Sequence, residues 1–270
     1  MRAHGYSWQM PDTAPPPLLA AGDPVPVTVL REHGASRFLF TCDHASARLP
    51  AALGDLGLAP GQRLRHIAWD IGAAAVTALL SAAFDAAAVL QNYSRLAIDC
   101  NRPLDALDSI VTVSEGVAIT GNEALSVAAR RQRQDAIFHP YHARIRDLLD
   151  ARAAGGRCGS TILVSMHSFT PVYLEVARRW HASVMYHRDA RYALPVLDGL
   201  REDPQLTIGE NEPYRLGDVS DYTIPVHAEA RGLLHVMLEI RQDLITTEAG
   251  QAAWAGRLAR VLAAAAERLS

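Results

Sequence analysis

Two histidines, two acidic residues and an asparagine-arginine pair are the side chains of this sequence that could together carry out hydrolysis. They are His44, Asp70, Asn101-Arg102, His167 and Glu239. Two imidazoles and one carboxylate are what a catalytic Zn²⁺ takes from a protein while one position stays open for water. A separate glutamate suits a general base for that water, and a guanidinium can grip both oxygens of a carboxylate. The set indicates a metal hydrolase; the alternative is that the same groups are structural residues of loops and helix ends.

All of these groups except Asp70 fall at or just past the carboxyl end of a predicted strand. Short apolar runs that stop at small, polar or turn-forming residues predict the strands. They are residues 38–40 before His44, 96–100 before Asn101, 161–166 before His167 and 235–238 before Glu239. Ligands bind at the carboxyl ends of strands in an open α/β sheet, so the sequence predicts one site built from several strand ends.

Asp70 lies on a predicted helix over residues 64–84, one turn after His66. A pair at this spacing can point at one metal ion, but an aspartate near a first turn is as often a partner of the helix dipole. The other predicted helices are 121–154, which Pro140 must kink or divide, 191–201 and 247–269, and the other predicted strands are 86–93, 111–113, 183–186 and 206–208. Strands that alternate with helices predict an α/β fold, a mostly parallel sheet covered on both faces.

Composition limits the classes of protein further. With 270 residues and 49% hydrophobic side chains, the chain is long enough for one large domain, predicted over residues 27–270. The proline-rich residues 1–26 are predicted to be an arm that lies over the domain or is disordered. The net charge of -3 comes with no basic stripe, so nucleic acid is not an expected partner. The longest apolar tracts are alanine-rich and interrupted by polar residues, so no membrane span is expected.

The basic residues exclude several reaction mechanisms, and the cysteines indicate a cellular compartment. All 26 basic residues are arginine, which rules out a Schiff base, a lysine general base and a phosphate-binding P-loop. Those from Arg130 to Arg152 are expected on a solvated helix face, with His139 and His142 at the surface. The three cysteines form no Cys-x-x-Cys pair, and no signal peptide is evident, so a reducing cytoplasm is expected.

Several motifs of the chain resemble the N-formylglutamate amidohydrolase family, and the resemblance runs from Phe38 to Ile245. The matching motifs are Cys-Asp-His-Ala at 42–45, Trp-Asp at 69–70, Ser-Arg-Leu at 94–96, Asp-Cys-Asn-Arg-Pro at 99–103, His-Ser-Phe-Thr-Pro at 167–171, Glu-Asn-Glu-Pro-Tyr at 210–214 and Leu-Glu-Ile-Arg-Gln-Asp-Leu-Ile at 238–245. The resemblance implies a three-layer α/β/α fold with a mostly parallel, mixed central sheet like that of zinc carboxypeptidases and aspartoacylases. It also implies hydrolysis of the linear amide of an N-formyl or other N-acyl amino acid, as in amino-acid degradation, by a monomer or small homo-oligomer.

The same resemblance implies roles for individual residues. Zn²⁺ or another divalent metal would be held by His44, Asp70 and His167, and Glu239 would be the base. Arg95 and Arg102 would contact the substrate or the oxyanion. Further substrate contacts are expected from Asn101, Ser168, Asn211, Tyr214, His227 and Arg241. Asp43 or His66 could replace Asp70 as the third ligand.

The chain also departs from the family pattern. Ser165 stands where close relatives of the histidine-degradation enzyme carry an acidic residue, and a Pro-His-Ser-Gly loop is replaced by Asp43-His-Ala-Ser46. A divergent branch is therefore expected, with its acyl group and amino acid left open. The alternatives are a carboxypeptidase or deacylase acting on another N-acyl amino acid or small peptide, a metal-free hydrolase with Cys42 as nucleophile beside His167, and a binding protein that has lost its metal. His227 could cover the site from a loop or simply begin a solvated helix.

Overall fold

The computed structural model describes residues 17–156 and 160–269. The strands are β1 Val27–Leu30, β2 Phe38–Cys42, β3 Ala87–Gln91, β4 Val113–Ser114, β5 Val117–Ala118, β6 Ile162–Phe169, β7 Val172–Tyr173, β8 Val176–Ala177, β9 Ala182–Met185, β10 Ile208–Glu210 and β11 Leu234–Arg241. The α-helices are α1 Ala73–Phe84, α2 Val127–Arg133, α3 His139–Ala154, α4 Ala193–Arg201 and α5 Glu248–Glu267. None of the helices in these ranges is long and apolar enough to cross a membrane.

One seven-stranded sheet organises the molecule, in the order β1-β3-β2-β6-β11-β9-β10. Its centre is parallel, because β3, β2, β6 and β11 all run in the same direction. At the two sides, β1 is antiparallel to β3 and β9 is antiparallel to β11. The chain leaves β2 toward β3 on one side and later returns to β6 on the other, so the strand order reverses beside β2. This confirms the predicted mixed, mostly parallel α/β sheet and puts its switch point at the end of β2.

Each face of the sheet has its own apolar layer. Leu39, Leu163 and Met237 point to one face and pack with residues of α3 and of the segment between Tyr93 and Ile119. Phe40 and Val164 point to the other face, which α1, α4 and α5 cover. Successive residues of a strand point to opposite faces, so the central strands are buried on both sides and read as unbroken apolar runs. The polar groups that interrupt those runs stand out for this reason.

The helix predicted over residues 64–84 begins only at Ala73. Gly72 precedes it with a φ of +82°, and a Cβ there would lie 2.3 Å from the carbonyl oxygen of Ile245, so the position needs glycine. The prediction that His66 and Asp70 lie one helical turn apart is therefore wrong. Both residues lie in the connection that leads to α1.

The strand predicted over residues 96–100 is absent, and turns take its place. Ser94 Oγ accepts a hydrogen bond from the Leu96 amide at 3.1 Å, and Asp99 Oδ1 accepts one from the Asn101 amide at 2.8 Å. Short polar side chains that bond the backbone two residues on favour turns over a strand ladder. By contrast, β6 and β11 run past their predicted ends, so His167 and Glu239 lie inside strands.

The helical region predicted from residue 121 begins at Val127, where the Ser126 side chain caps it by accepting from the Ala129 amide. A π-helical turn over Gln134–Phe138 then precedes Pro140, and α3 follows directly. Pro140 thus changes the local hydrogen bonding without ending the helix. The remaining predicted strands and helices are present with shifted boundaries.

Three side chains expected at the surface of this region are buried instead. Arg133 donates to the Ala97 carbonyl at 2.9 Å and to Asn122 Oδ1 at 2.7 Å, and Arg152 donates to the carbonyl of Phe38 at 3.0 Å. His142 is also buried. Charge alone suggested a solvated face, but both guanidinium groups point inward and donate to buried backbone carbonyls, and Arg133 donates also to the Asn122 side chain.

Part of the predicted N-terminal arm, residues 1–16, lies outside the described residues. The rest lies on the domain. Leu18 is buried, and the Tyr93 hydroxyl donates to the Pro24 carbonyl at 2.6 Å.

Candidate active site

The site lies at the carboxyl edge of the central strands, beside the switch point. His44 follows β2, and its carbonyl accepts from the Asp70 amide at 3.0 Å, which brings the loop before α1 to the strand end. His167 on β6 and Glu239 on β11 are direct partners in the parallel register. Partners on neighbouring strands point to the same face, so the sheet places His167 and Glu239 side by side.

Both histidines turn the same ring atom toward one carboxylate oxygen. The Nδ1 atoms of His44 and His167 lie 3.3 Å and 2.8 Å from Asp70 Oδ2. All three side chains are buried, and their possible ligand atoms lie within 4.8 Å of one another. The structure thus brings together the three residues expected to hold a metal.

Each imidazole is fixed from behind by another carboxylate. His44 Nε2 lies 2.8 Å from Asp99 Oδ1, and His167 Nε2 lies 3.0 Å from Asp43 Oδ2. Histidines that bind metals usually bond a carboxylate or carbonyl through the second ring nitrogen, which sets tautomer and orientation. This arrangement leaves the two Nδ1 atoms as the ligand positions.

Asp43 is anchored by several donors. Its Oδ1 accepts from the Tyr141 and Thr223 hydroxyls, each at 2.7 Å, and Ser165 Oγ donates to Oδ2 at 3.3 Å. Burial alone would raise the pKa of Asp43, but the hydrogen bonds and the charge of His167 hold it below its usual value. Asp43 is therefore a charged support for His167, and a metal-binding role for it is not needed.

Asp99 is held in the same way by Arg95. The Nε and a terminal nitrogen of Arg95 lie 2.9 Å and 2.6 Å from Asp99 Oδ2, and a second terminal nitrogen lies 3.7 Å from Asp70 Oδ1. Arg95 was expected to contact substrate. In this structure its guanidinium supports the carboxylate behind His44, and it also lines the cavity.

The charge balance of the site fits a divalent cation. Asp43, Asp70 and Asp99 surround the two imidazoles, and Arg95 is the one guanidinium bonded to this group among the described residues. Burial opposes protonation of both imidazoles, yet the carboxylates raise the pKa of His44 and of His167. A site that attracts positive charge so strongly, with nitrogen and oxygen donors converging, suits Zn²⁺ or a similar metal.

Glu239 stands beside this cluster without a partner. It is 8% exposed, and its Oε2 is buried with no hydrogen-bond partner among the described residues. Burial raises the pKa of Glu239 to about 7. A carboxylate that titrates near neutral pH next to a ligand cluster has the properties of a general base.

A cavity of about 600 Å³ opens over the cluster, within the usual range for small-molecule sites. The expected site residues on its wall are His44, Asp70, Arg95, Asn101, Arg102, His167, Ser168, Tyr214 and Glu239. Three others lie elsewhere, because their side chains have structural partners. Asn211 Oδ1 accepts from the Tyr186 amide at 3.0 Å, His227 Nε2 lies 3.0 Å from His142 Nδ1, and Arg241 bonds Asp243 at 2.8 Å.

The Asn101-Arg102 pair lines the cavity but already has partners. Asn101 Oδ1 accepts from the amides of Tyr222 and Thr223, both at 3.0 Å. Arg102 donates to Asp108 at 2.8 Å and also to the Ser220 carbonyl. Asn101 Nδ2 also donates to Asp221 Oδ1 at 2.9 Å. The pair therefore fastens the end of the loop of residues 211–221, and a simple carboxylate clamp does not describe it.

The surroundings of two other residues do not support the alternative roles expected for them, His66 as a metal ligand and Cys42 as a nucleophile. His66 Nε2 lies 3.1 Å from a Glu115 oxygen, away from the ligand atoms, so it does not replace Asp70. Cys42 is buried on the sheet face opposite Asp43, and burial raises the pKa of its thiol well above the usual value. A nucleophilic cysteine needs exposure and a lowered pKa.

Sequence reasoning missed some supporting residues. Asp99 contacts His44 directly. Tyr141 and Thr223 instead donate to Asp43, the carboxylate that supports His167. For Asp99 a signal existed, because it stands in the same motif as Asn101. For Tyr141 and Thr223 there was none, since only the fold brings them to Asp43.

The mixed α/β sheet, with a histidine-carboxylate cluster and a free glutamate at its carboxyl edge, defines a hydrolytic enzyme. Residues 36–246 match the family model of N-formylglutamate amidohydrolase. The chain belongs to the N-formylglutamate amidohydrolase family and is a hydrolase that acts on amide bonds. This confirms the resemblance found in the motifs.

Two solved structures share this fold. A crystal structure of a gene product from Agrobacterium tumefaciens is 38% identical, covers 93% of this chain and 99% of its own, and superimposes with a TM-score of 0.90. The N-formylglutamate amidohydrolase from Ralstonia eutropha JMP134 is 20% identical, with a TM-score of 0.67 and coverage of 90% and 98%, and shows a similar fold. No protein of curated function matches the chain.

Proposed function

We propose that this protein is a metal-dependent amidohydrolase that cleaves an N-formyl or other N-acyl amino acid into a carboxylate and the free amino acid. One observation carries the proposal: the unpartnered Glu239 carboxylate stands beside two imidazoles and a carboxylate that converge within 4.8 Å. Family membership and the name of the Ralstonia relative support the N-formyl substrate.

The donor set defines what would hold the metal. His44 and His167 would bind through Nδ1, which in both rings faces Asp70 Oδ2. A divalent metal bound there supplies Lewis acidity, which acidifies water and polarises the amide carbonyl. Asp99 and Asp43 keep the rings oriented, so the ligand positions are preorganised.

Glu239 performs the proton transfers. Its carboxylate takes one proton from the attacking water while the water oxygen bonds to the carbonyl carbon. It then gives that proton to the amide nitrogen as the C–N bond breaks, so that the products are a carboxylic acid and an amine. A base with a pKa near the working pH can accept and donate with similar ease. Its buried position beside His167 also keeps competing solvent away.

A metal-depletion and substrate panel tests this function. The purified untagged protein is analysed for metal, treated with a chelator, and reloaded with Zn²⁺ before assay. The substrates are N-formyl, N-acetyl and longer N-acyl amino acids. We expect activity to disappear with the chelator and return with Zn²⁺. Full activity after complete metal removal would overturn the metal-dependent proposal, and no hydrolysis of any panel member would overturn the substrate class.

A supporting test uses the same preparation. The second group of possible ligands, His187, Asp218 and Glu229, lies largely at the surface, and the Arg188 side chain bonds both carboxylates. Because the Arg188 guanidinium already occupies that position, no metal ion is expected at this second group, and metal analysis of the same preparation checks this.

A further inference from the structure

Arg178 is a buried cation with an unusual set of neighbours. It directly follows β8 and is 8% exposed. Its guanidinium carbon lies 4.7 Å from the ring centres of both Tyr173 and Tyr214, and 5.8 Å from that of Phe169. Within the described ranges, no carboxylate forms an ion pair with it. A buried charge without a counter-ion is costly, and the aromatic faces offset only part of that cost.

The guanidinium also fixes the Tyr214 hydroxyl. An Arg178 terminal nitrogen donates to the Tyr214 oxygen at 2.6 Å. Because that oxygen is the acceptor, the phenolic hydrogen remains available as a donor, and no described residue accepts it. Tyr214 is 40% exposed and lines the cavity. The Tyr214 O–H is therefore a hydrogen-bond donor whose oxygen is held by the positively charged Arg178.

Tyr214 lines the same cavity as the histidine-carboxylate cluster and Glu239. Burial raises the pKa of Tyr214, and the next cause is the negative charge of Glu239. Tyr214 thus connects the buried Arg178 to the cavity that contains the cluster.

Two of the arginines on the cavity wall are already neutralised. Arg95 is bonded to Asp99 and Arg102 to Asp108, whereas Arg215, next to Tyr214, forms no ion pair among the described residues and adds positive charge to the same wall. Every N-acyl amino acid carries an α-carboxylate beside its scissile amide, and that anion needs a donor. Arg178 and Tyr214 offer positive charge and a hydrogen bond that no protein carboxylate uses.

We propose that Tyr214 donates a hydrogen bond to the α-carboxylate of the substrate, and that Arg178 is the positioning residue that orients and polarises the Tyr214 hydroxyl. The inference rests on the proposed function for the identity of the substrate. It assigns to Arg178, which no motif indicated, a role in substrate recognition. The fixed loop of residues 211–221, held by Asn101 and Arg102, keeps Tyr214 at this position.

The test compares two substrates that differ in one group. Kinetics are measured with N-formyl-L-glutamate and with its α-carboxamide, N-formyl-L-isoglutamine, for the wild type and Tyr214→Phe. The phenylalanine keeps the ring against Arg178, so the fold is preserved. We expect KM for the carboxylate substrate to rise about tenfold or more, as for a lost charge-assisted hydrogen bond. KM for the carboxamide and kcat for both substrates should stay within about twofold, because the contact is uniform in ground and transition states.

Two Arg178 variants and one control complete the design. Arg178→Gln should reproduce the carboxylate-specific rise in KM. Arg178→Lys should give a smaller rise, because it keeps the charge and loses the planar stacking. The matched control is Tyr186→Phe, which removes a hydroxyl that bonds Glu210 at 2.6 Å outside the cavity. Its kinetics should equal those of the wild type.

Binding of L-glutamate and L-isoglutamine, measured by calorimetry, separates the two proposals. If Tyr214→Phe raises KM equally for N-formyl-L-glutamate and N-formyl-L-isoglutamine, the inference is overturned and the amidohydrolase function stands. If the wild type hydrolyses neither compound but Tyr214→Phe weakens only L-glutamate binding, the function fails and the inference stands. Absence of both hydrolysis and carboxylate-dependent binding overturns both.

Discussion

Glu239 and His167 are direct neighbours in the parallel register of β11 and β6. Adjacent strands lie about 4.8 Å apart, so the base and one ligand are held side by side on two buried central strands. His44 and Asp70 come from the connections that follow β2 and precede α1. The site therefore joins one half from the sheet to one half from loops, and the carboxylates of Asp99 and Asp43 hold the two imidazoles from behind.

Glu239→Gln should lose at least about a hundredfold in kcat, the usual scale of general-base catalysis. Glutamine has nearly the same shape and cannot accept the proton. The variant should keep its metal, its fold and its KM. The measurements are kcat, metal content and melting temperature on one preparation.

The outcome for the Gln variant also decides between other bases. Normal turnover would require a different base, and Glu210 or Glu212 would be next. Glu210 already accepts from the Tyr186 hydroxyl at 2.6 Å, which makes it the weaker candidate. A variant that fails to fold would return Glu239 to a structural role.

Ionisation of Glu239 should cost stability in the metal-free protein. Its folded-state pKa of about 7 lies above its usual 4.5. Below pH 4.5 the side chain is protonated in both states and its full contribution is present. As pH rises from 4.5 to about 7, only the unfolded state ionises, so stability falls by roughly 3 kcal/mol at 1.36 kcal/mol per pH unit.

The comparison is urea unfolding of metal-free wild type and Glu239→Gln from pH 4 to pH 9. The wild type should lose stability relative to the variant across this window and show no further relative change above it. A difference that stays constant with pH would mean that Glu239 is not the group with the raised pKa.

His44→Ala and His167→Ala should each reduce bound metal to near zero. Each removes one of three protein ligands, and a catalytic zinc site needs about three. Metal content is measured after dialysis against metal-free buffer. His139→Ala is the matched control, because His139 is exposed, pairs with Asp135 and does not line the cavity. Stoichiometric metal in either ligand variant would refute the assignment.

Cys42→Ser should keep full activity. The thiol is buried on the sheet face opposite Asp43, beside Thr77 of α1. A thiolate mechanism would predict complete loss. The assay is kcat/KM with the best substrate of the panel, in the presence and absence of chelator.

Arg102→Lys should raise KM about tenfold, although it keeps the charge. A lysine cannot hold Asp108 and the carbonyls of Ser220 and Asn101 together, so the loop that carries Tyr214 loses an anchor. Arg131→Lys, on an exposed helix face, is the control. Unchanged kinetics for Arg102→Lys would show that this anchor is dispensable.

The sequence predicted the central strands well because apolar runs with polar ends have a single plausible structure. Residues 38–40 and 161–166 became the cores of β2 and β6, and the polar residues at their ends met at one cluster. Glu239 could be singled out for the same reason, since an ionisable group inside an apolar strand requires an explanation.

The structure departs from the sequence-based expectations where side chains compete with backbone ladders or where distant segments meet. Asp99 and Ser94 bond the nearby backbone, so residues 96–100 turn instead of extending. His227 and Arg241 carry chemistry-capable groups, yet His142 and Asp243 already satisfy them. Arg178 has no local signal, because its neighbours Tyr173 and Tyr214 are separated in the chain.

The π-helical turn over Gln134–Phe138 sets a constraint on chain length. It adds one residue to the helical repeat, and one residue corresponds to about 100° of rotation in an α-helix. Tyr141 follows that turn and reaches Asp43, which in turn holds His167. Deleting a single residue from this turn would restore the regular repeat and swing Tyr141 away from the sheet. The alignment of the catalytic cluster thus depends on the number of residues in a helix that follows Asp43 by about a hundred positions in the chain. Substitutions in the turn keep that number, whereas an insertion or a deletion would change it.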